Sequence, residues 1–313
     1  MIRRRHLLAG LSLLPLGPAC ATGPATAPLA LSAPRSGRLL PLGGLELNTS
    51  AWGFGGLSAL NLAPDLTLTA VSDRGRWWRA PMRLSGGRLT GIGEASFGPL
   101  RDAAGAPIGQ GLSADSESLA RLPNGDWLVG MERRHRILRY RDLAGPSQPF
   151  EAPPGLEDAP RNGGLEAMTV LADGRLLAIA EDLPGNDPES RAAWIGTFQG
   201  PRLSWRRTEY RPASGLVPTD AAALPDGGAL VLERRFTLFG GFSARLVHLP
   251  AAALRGTAPL AGEMWLELPP DAPAENWEGV ATTRQDGRTL VALVSDDNQS
   301  PFQRTLLLLY AIA

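Results

Sequence analysis

The chain contains no lysine: all 31 of its basic residues are arginine. That excludes a lysine Schiff base and a lysine general base. What remains is the permanent charge and planar fork of the guanidinium, which can grip a carboxylate or phosphate through two bonds. Cysteine is limited to Cys20, and histidine to His6, His135 and His248. A disulfide within the chain is therefore impossible, and a His/Cys zinc site, which needs three or four such ligands converging, is effectively excluded. Formal net charge is zero, so nothing draws the chain as a whole toward nucleic acid. No apolar run reaches the length of a membrane span.

Glycine and proline are plentiful instead, with 37 and 28 in 313 residues. They are interleaved with short apolar runs, which points to a loop-rich β protein rather than disorder. The first residues, "MIRRRHLLAGLSLLPLGPACATG", are basic, then apolar, then small-x-small at Ala19-Cys20-Ala21. This is the pattern of an export signal over residues 1–21, and the Arg pair before His6 resembles a twin-arginine signal. A lipoprotein cysteine at Cys20 is the alternative, and periplasmic or secreted the expected location. Residues 22–38 are Pro/Ala-rich and read as a tether, leaving 39–313 as a single domain.

Five segments of that domain share one pattern: a small or acidic residue, a short apolar strand, a turn, a second apolar strand and a polar cluster. They start at Gly56, Asp115, Gly164, Pro218 and Asn276. Four of the turns are Asp-Gly or Asn-Gly (124–125, 173–174, 226–227 and 286–287), the dipeptides that supply the positive φ of a tight hairpin. The leading positions Ser58, Glu117, Glu166, Asp220 and Glu278 are 59, 49, 54 and 58 residues apart. A period near 50 built from hairpins is the signature of propeller blades. The expected fold is an all-β propeller of five four-stranded blades, or six if residues 81–110 hide a degenerate one. The stretch 39–50 is placed as an N-terminal strand joining the last blade and closing the ring.

In a propeller the innermost strands line a channel, so residues at their ends meet at one mouth. The leading acids should meet there with the clusters Asp73-Arg74, Glu132-Arg133, Glu181-Asp182, Glu233-Arg234 and Asp296-Asp297-Asn298. So many carboxylates repel and need cations or shared protons. Arg74, Arg133 and Arg234 supply some charge. A hard divalent cation such as Ca²⁺, which takes six to eight oxygens in flexible geometry, suits the rest. The candidate ligands are Asp73, Glu132, Glu181, Asp182, Asp220, Glu233, Asp296, Asp297 and Asn298. The competing role for each acid is a salt bridge or amide bond between blades.

These motifs, "SDRG", "ESLA" with "MERR", "NGGLEAM" with "AED", "PTDAAALPDGG" with "LERRF", and "NWEGVA" with "LVSDDN", resemble the phytase-like β-propeller family. That family is also described as having the esterase-like activity of phytase. The resemblance runs from about Leu45 to the C-terminus and implies an exported propeller that hydrolyses phosphoesters or related esters. Better-known propeller phytases use Ca²⁺ in an acidic mouth and hold phosphate with Lys and Arg; here Arg alone is available. The expected assignment is Glu117, Glu166 and Glu278 as catalytic carboxylates and Arg74, Arg133 and Arg234 as substrate-binding cations. The expected partner is a small-molecule ester or phosphoester, bound by a monomer. A serine hydrolase is disfavoured, because no Gly-x-Ser-x-Gly elbow occurs. The competing classes are a non-catalytic binding propeller of the cell envelope and a structural scaffold.

Overall fold

The computed structural model describes residues 25–53, 55–109, 114–200, 202–300 and 302–313. The export signal and Cys20 lie outside the described residues. In chain order, β1 (Thr26–Leu29) and β2 (Leu39–Leu47) come first. Blade 1 follows as β3 (Leu57–Leu62), β4 (Thr67–Ser72), β5 (Arg76–Ser85), β6 (Arg88–Ile92) and β7 (Ser96–Pro99). Blade 2 is β8 (Ser116–Arg121), β9 (Trp127–Met131), β10 (Arg136–Tyr140) and β11 (Ser147–Phe150). Blade 3 is β12 (Leu165–Val170), β13 (Leu176–Pro184), β14 (Arg191–Gln199) and β15 (Arg202–Tyr210). Blade 4 is β16 (Val217–Ala223), β17 (Ala229–Thr237), β18 (Gly241–Leu249) and β19 (Glu263–Leu268). Blade 5 is β20 (Asn276–Gln285), β21 (Arg288–Asp296) and β22 (Thr305–Ile312), with β2 hydrogen-bonded to β22 and β1 to β2.

Each blade is an antiparallel meander whose first hairpin is the repeated unit of the sequence. The innermost strands β3, β8, β12, β16 and β20 touch in that order and return from β20 to β3, which makes the ring. Five apolar clusters fill the five gaps between neighbouring blades. Successive side chains of a strand face opposite neighbours, so Leu230 and Leu232 pack toward blade 5 while Ala229 and Val231 pack toward blade 3. The result is a five-bladed β-propeller. Among the described residues, 81–109 hold no sixth blade: β5 is long enough to pair with β6 at one end and β7 at the other, so the extra residues thicken blade 1. Nor is the segment 22–38 wholly a tether, because β1 adds an edge strand to blade 5, the one sheet position where its Pro28 costs no ladder bond.

Candidate functional site

Every innermost strand carries one extra residue relative to its hairpin partner. The unmatched residues are Ser58, Glu117, Glu166, Thr219 and Glu278. A bulge of this kind re-aims a side chain out of the ladder, and repeated five times it gives a first ring at the channel mouth. A second ring follows from the strands opposite. Asp73, Glu132 and Glu181 each donate their N–H to the residue two before the bulge, and Arg234 and Asp296 pair with that same position in blades 4 and 5.

Register therefore corrects the sequence reading in blade 4. Thr219, not Asp220, is the counterpart of Glu166, and Arg234, not Glu233, is the counterpart of Glu181. The spacing from first to second ring is then 15 residues in blades 1 to 4. A one-residue slip in a strand moves a side chain to the other face, and that is the fate of both displaced acids. Asp220 is fully buried and accepts the N–H groups of Ala221 at 2.8 Å, Val280 at 2.8 Å and Leu60 at 3.4 Å. It ties the innermost strands of blades 4, 5 and 1. Glu233 is also fully buried and accepts from Tyr210 Oη at 2.5 Å, Arg245 Nε at 2.5 Å and the Ala213 N–H at 3.3 Å. Asp220→Ala would leave three buried amides unpaired. The expected loss is about 3–5 kcal/mol in urea denaturation, and a loss below about 1 kcal/mol would contradict the bonding described.

The remaining acids converge. Carboxylate oxygens of Asp115, Glu117 and Glu132 lie within 4.8 Å of one another, and so do those of Glu132, Glu166 and Glu181. Glu132 belongs to both trios and also accepts the Gly164 N–H at 3.0 Å. Arg234 reaches between two blades: its Nη2 is 3.3 Å from Glu181 and its Nε is 3.2 Å from Glu278. Arg133 sits at the rim, 2.5 Å from Asp115. Arg74 is exposed and lines a polar groove of about 690 Å³ beside the mouth, together with Arg76, Thr49, Ser50, Asp297 and Gln303. A groove of similar size, between the Asn124 and Gly174 turns at the opposite end of the blades, is walled by Phe150, Phe198 and Leu203 and lies away from both rings.

Asp182, Asp297 and Asn298 stand outside the convergence. Asp182 is exposed and pairs with Arg191 at 3.5 Å. Asp297 is committed to the Thr49 and Thr305 hydroxyls, at 2.8 and 3.0 Å, and to the Gln299 N–H. Asn298 is exposed, and its N–H caps Asp296 at 2.8 Å. Asp115, by contrast, belongs to the site and was overlooked: it lies two residues before Glu117, where the other blades have no acid, so no repeat flagged it. Asn276, two residues before Glu278, has a buried Oδ1 without a hydrogen-bond partner.

Crowding shows in the protonation of the rings. Burial pushes Glu117 and Glu166 well above the usual carboxylate range, with Asp115 and Glu181 respectively adding repulsion. Burial raises Glu132 too. Glu181 and Glu278 are pushed up by burial to about 7, against the pull of Arg234. Burial and then Glu278 take Asp296 to about 8, and burial takes Asp73 to about 6. Arg234 is held above its ordinary value, because Glu278 and Glu181 outweigh the burial that opposes its charge. Acidic side chains thus outnumber the one cation of the rings.

The family model described as Phytase-like: Esterase-like activity of phytase matches residues 52–299, which takes in both rings. The chain belongs to this family. No curated protein matches the sequence. Among solved structures, this phytase-like chain is similar to an endo-arabinase from Bacteroides thetaiotaomicron, with TM-score 0.46, 11% identity, and 91% and 98% of the two chains covered. It is similar to a PQQ-bound aldose sugar dehydrogenase from Streptomyces coelicolor, with TM-score 0.43, 15% identity, and 93% and 100% covered. A third similar structure is virginiamycin B lyase from Staphylococcus aureus, with TM-score 0.40, 12% identity, and 91% and 80% covered.

Proposed function

We propose that this phytase-like propeller is an exported, metal-assisted hydrolase of phosphoesters or related small esters, working at the acidic mouth. The observation that carries the reading is the pair of carboxylate trios joined through Glu132. Their donor set is all oxygen, as a hard cation such as Ca²⁺ requires. A buried Asp73 oxygen without a hydrogen-bond partner is a further sign that the rings are built for something more than each other. Glu132, Glu166 and Glu181, or Glu132, Glu117 and Asp115, would hold the cation. When bound, it would polarise the ester and offset its negative charge.

The chain's own residues supply the rest. Whichever of Glu117 and Glu166 lies outside the trio that would hold the cation is placed, in its ionised form, to take a proton from the attacking water. Arg234 holds Glu181 and Glu278 in place and offers positive charge toward an anionic substrate. Arg74, with its groove, is positioned to receive the part of the substrate that does not react. Glu278, pushed up by burial to about 7 and so still partly protonated near neutral pH, is a candidate donor to the leaving oxygen.

The test is turnover of 4-nitrophenyl phosphate and 4-nitrophenyl acetate by chelator-treated protein, with and without Ca²⁺. Calcium-dependent turnover is expected, and Glu117→Gln or Glu166→Gln should lower kcat by about 10²–10⁴-fold. The variant that loses turnover while still binding calcium identifies the base. Calcium that raises the melting temperature without turnover of either ester would return the mouth to ligand binding and defeat the hydrolase reading.

A further inference from the structure

The three most exposed large apolar side chains among the described residues are Leu238, Phe239 and Phe302, at 82%, 99% and 93%. All three lie on the face that carries the mouth. Leu238 and Phe239 form the tip of the β17–β18 hairpin. β16 accompanies β17 only as far as Arg234, and β19 accompanies β18 only as far as Ala244. Beyond those pairs the hairpin is a bare two-stranded ribbon, braced by Phe236 against Phe242 with ring centroids 4.8 Å apart. Phe302 stands on the connection between β21 and β22 in the adjacent blade.

The start of the chain leads to the same face. Thr26 of β1 lies opposite Leu47, the last residue of β2, and Leu47 lies opposite Thr305, which begins β22 on the mouth side. The Asn48 N–H donates to the Ala25 carbonyl at 3.0 Å, and Thr49 donates to Asp297. The chain thus enters the fold beside the mouth. Upstream in the sequence lie Arg3, Arg4 and Arg5 and the apolar run from Leu7 to Leu16.

We propose that the mouth face of the propeller docks on a lipid surface, with Leu238, Phe239 and Phe302 entering the border between headgroups and acyl chains. The tips are convex and stand on separate loops of two blades. A bilayer accepts such tips at any spacing, whereas a protein partner would need a matching groove for each. Arg74 and Arg134, on mouth-side turns of blades 1 and 2, and Arg235, in the ribbon of blade 4, are exposed and suit headgroup phosphates. The corresponding segment of blade 3 is acidic, with Asp182 and Glu189 exposed. Apolar insertion therefore drives the contact, and lipid charge modulates it.

The experiment uses the full chain and flotation with vesicles of phosphatidylcholine, alone or mixed with phosphatidylglycerol. Phe239→Trp provides a probe at the tip. Its emission, taken as the difference from the parent protein, should shift to the blue and be quenched by brominated acyl chains. Leu238→Ser, Phe239→Ser and Phe302→Ser combined should lower vesicle partitioning about tenfold or more while leaving the melting temperature unchanged. Partitioning unaffected by the triple substitution, with unshifted tip emission, would overturn the proposal by assigning any binding to the upstream segment. A dimer that forms without lipid and separates on the same substitutions would overturn it in favour of a second copy of the chain.

Discussion

Arg234→Ala is expected to cost the metal-free protein about 3–5 kcal/mol near pH 8 and much less near pH 5. The guanidinium bonds Glu181 and Glu278 from within the rings, with all three side chains at or below 20% exposure. Both carboxyls titrate at about 7 in the folded protein, because burial raises them even with Arg234 beside them. Near pH 8 they are ionised, so truncation strands two buried charges among like neighbours. Near pH 5 they are protonated, and the same truncation removes a cation from beside neutral groups. Urea denaturation in chelator at the two pH values measures the difference. An equal loss at both would mean that Arg234 serves the fold through packing alone.

Arg234 also shows where the sequence was legible and where it was not. The propeller could be read because each blade repeats a hairpin, four of the five with an Asp-Gly or Asn-Gly turn, and that local chemistry favours the same antiparallel pair each time. The mouth could be read because both ends of such a hairpin return to one side. The residues of blade 4 could not. Its strands carry an acid one place beside each ring position, so Asp220 and Glu233 imitate the repeat while Thr219 and Arg234 occupy it. Only the bulge fixes the register, and a bulge has no residue signature of its own when Ser, Glu and Thr all serve at it. The 15-residue spacing of blades 1 to 3 was a partial signal: it rejects the pairing of Asp220 with Glu233, which are 13 apart, and fits Thr219 with Arg234.

The same reasoning explains the other departures. "TAPL" within residues 22–38 has a proline and no alternation, so nothing local marks it as a strand. It becomes β1 because β2 presents an open edge. The run Asp296-Asp297-Asn298 looked like a loop of metal ligands because it is rich in oxygen, yet Asp297 spends its oxygens on two threonine hydroxyls and a backbone amide. Composition shows how many oxygen donors a loop has. It does not show which of them the fold has already used.

In chelator, the wild-type protein is expected to lose stability as pH rises from about 4 to about 8, and calcium should restore more of it the higher the pH. The folded values of Asp73, Glu181, Glu278 and Asp296 are raised, chiefly by burial, to about 6, 7, 7 and 8. Unfolded carboxyls titrate near 4. Between those limits the folded state holds protons that the unfolded chain has released, so the slope of stability against pH is negative. The stabilising difference is fully present below about pH 4 and is gone above the folded values. Each pKa unit is worth about 1.4 kcal/mol, which puts the fall at several kcal/mol once the groups' mutual repulsion is shared among them. A divalent cation binds the ionised carboxylates and competes with their protons. Excess calcium at about a thousand times its dissociation constant would add about 4 kcal/mol, and that increment should shrink toward pH 5 as the protons win. Thermal melts at several pH values, with and without calcium, measure both trends. Stability that stays flat with pH and indifferent to calcium would mean that the rings ionise without cost. The carboxylates would then be solvated strand ends, and the crowding that calls for a cation at the mouth would not exist.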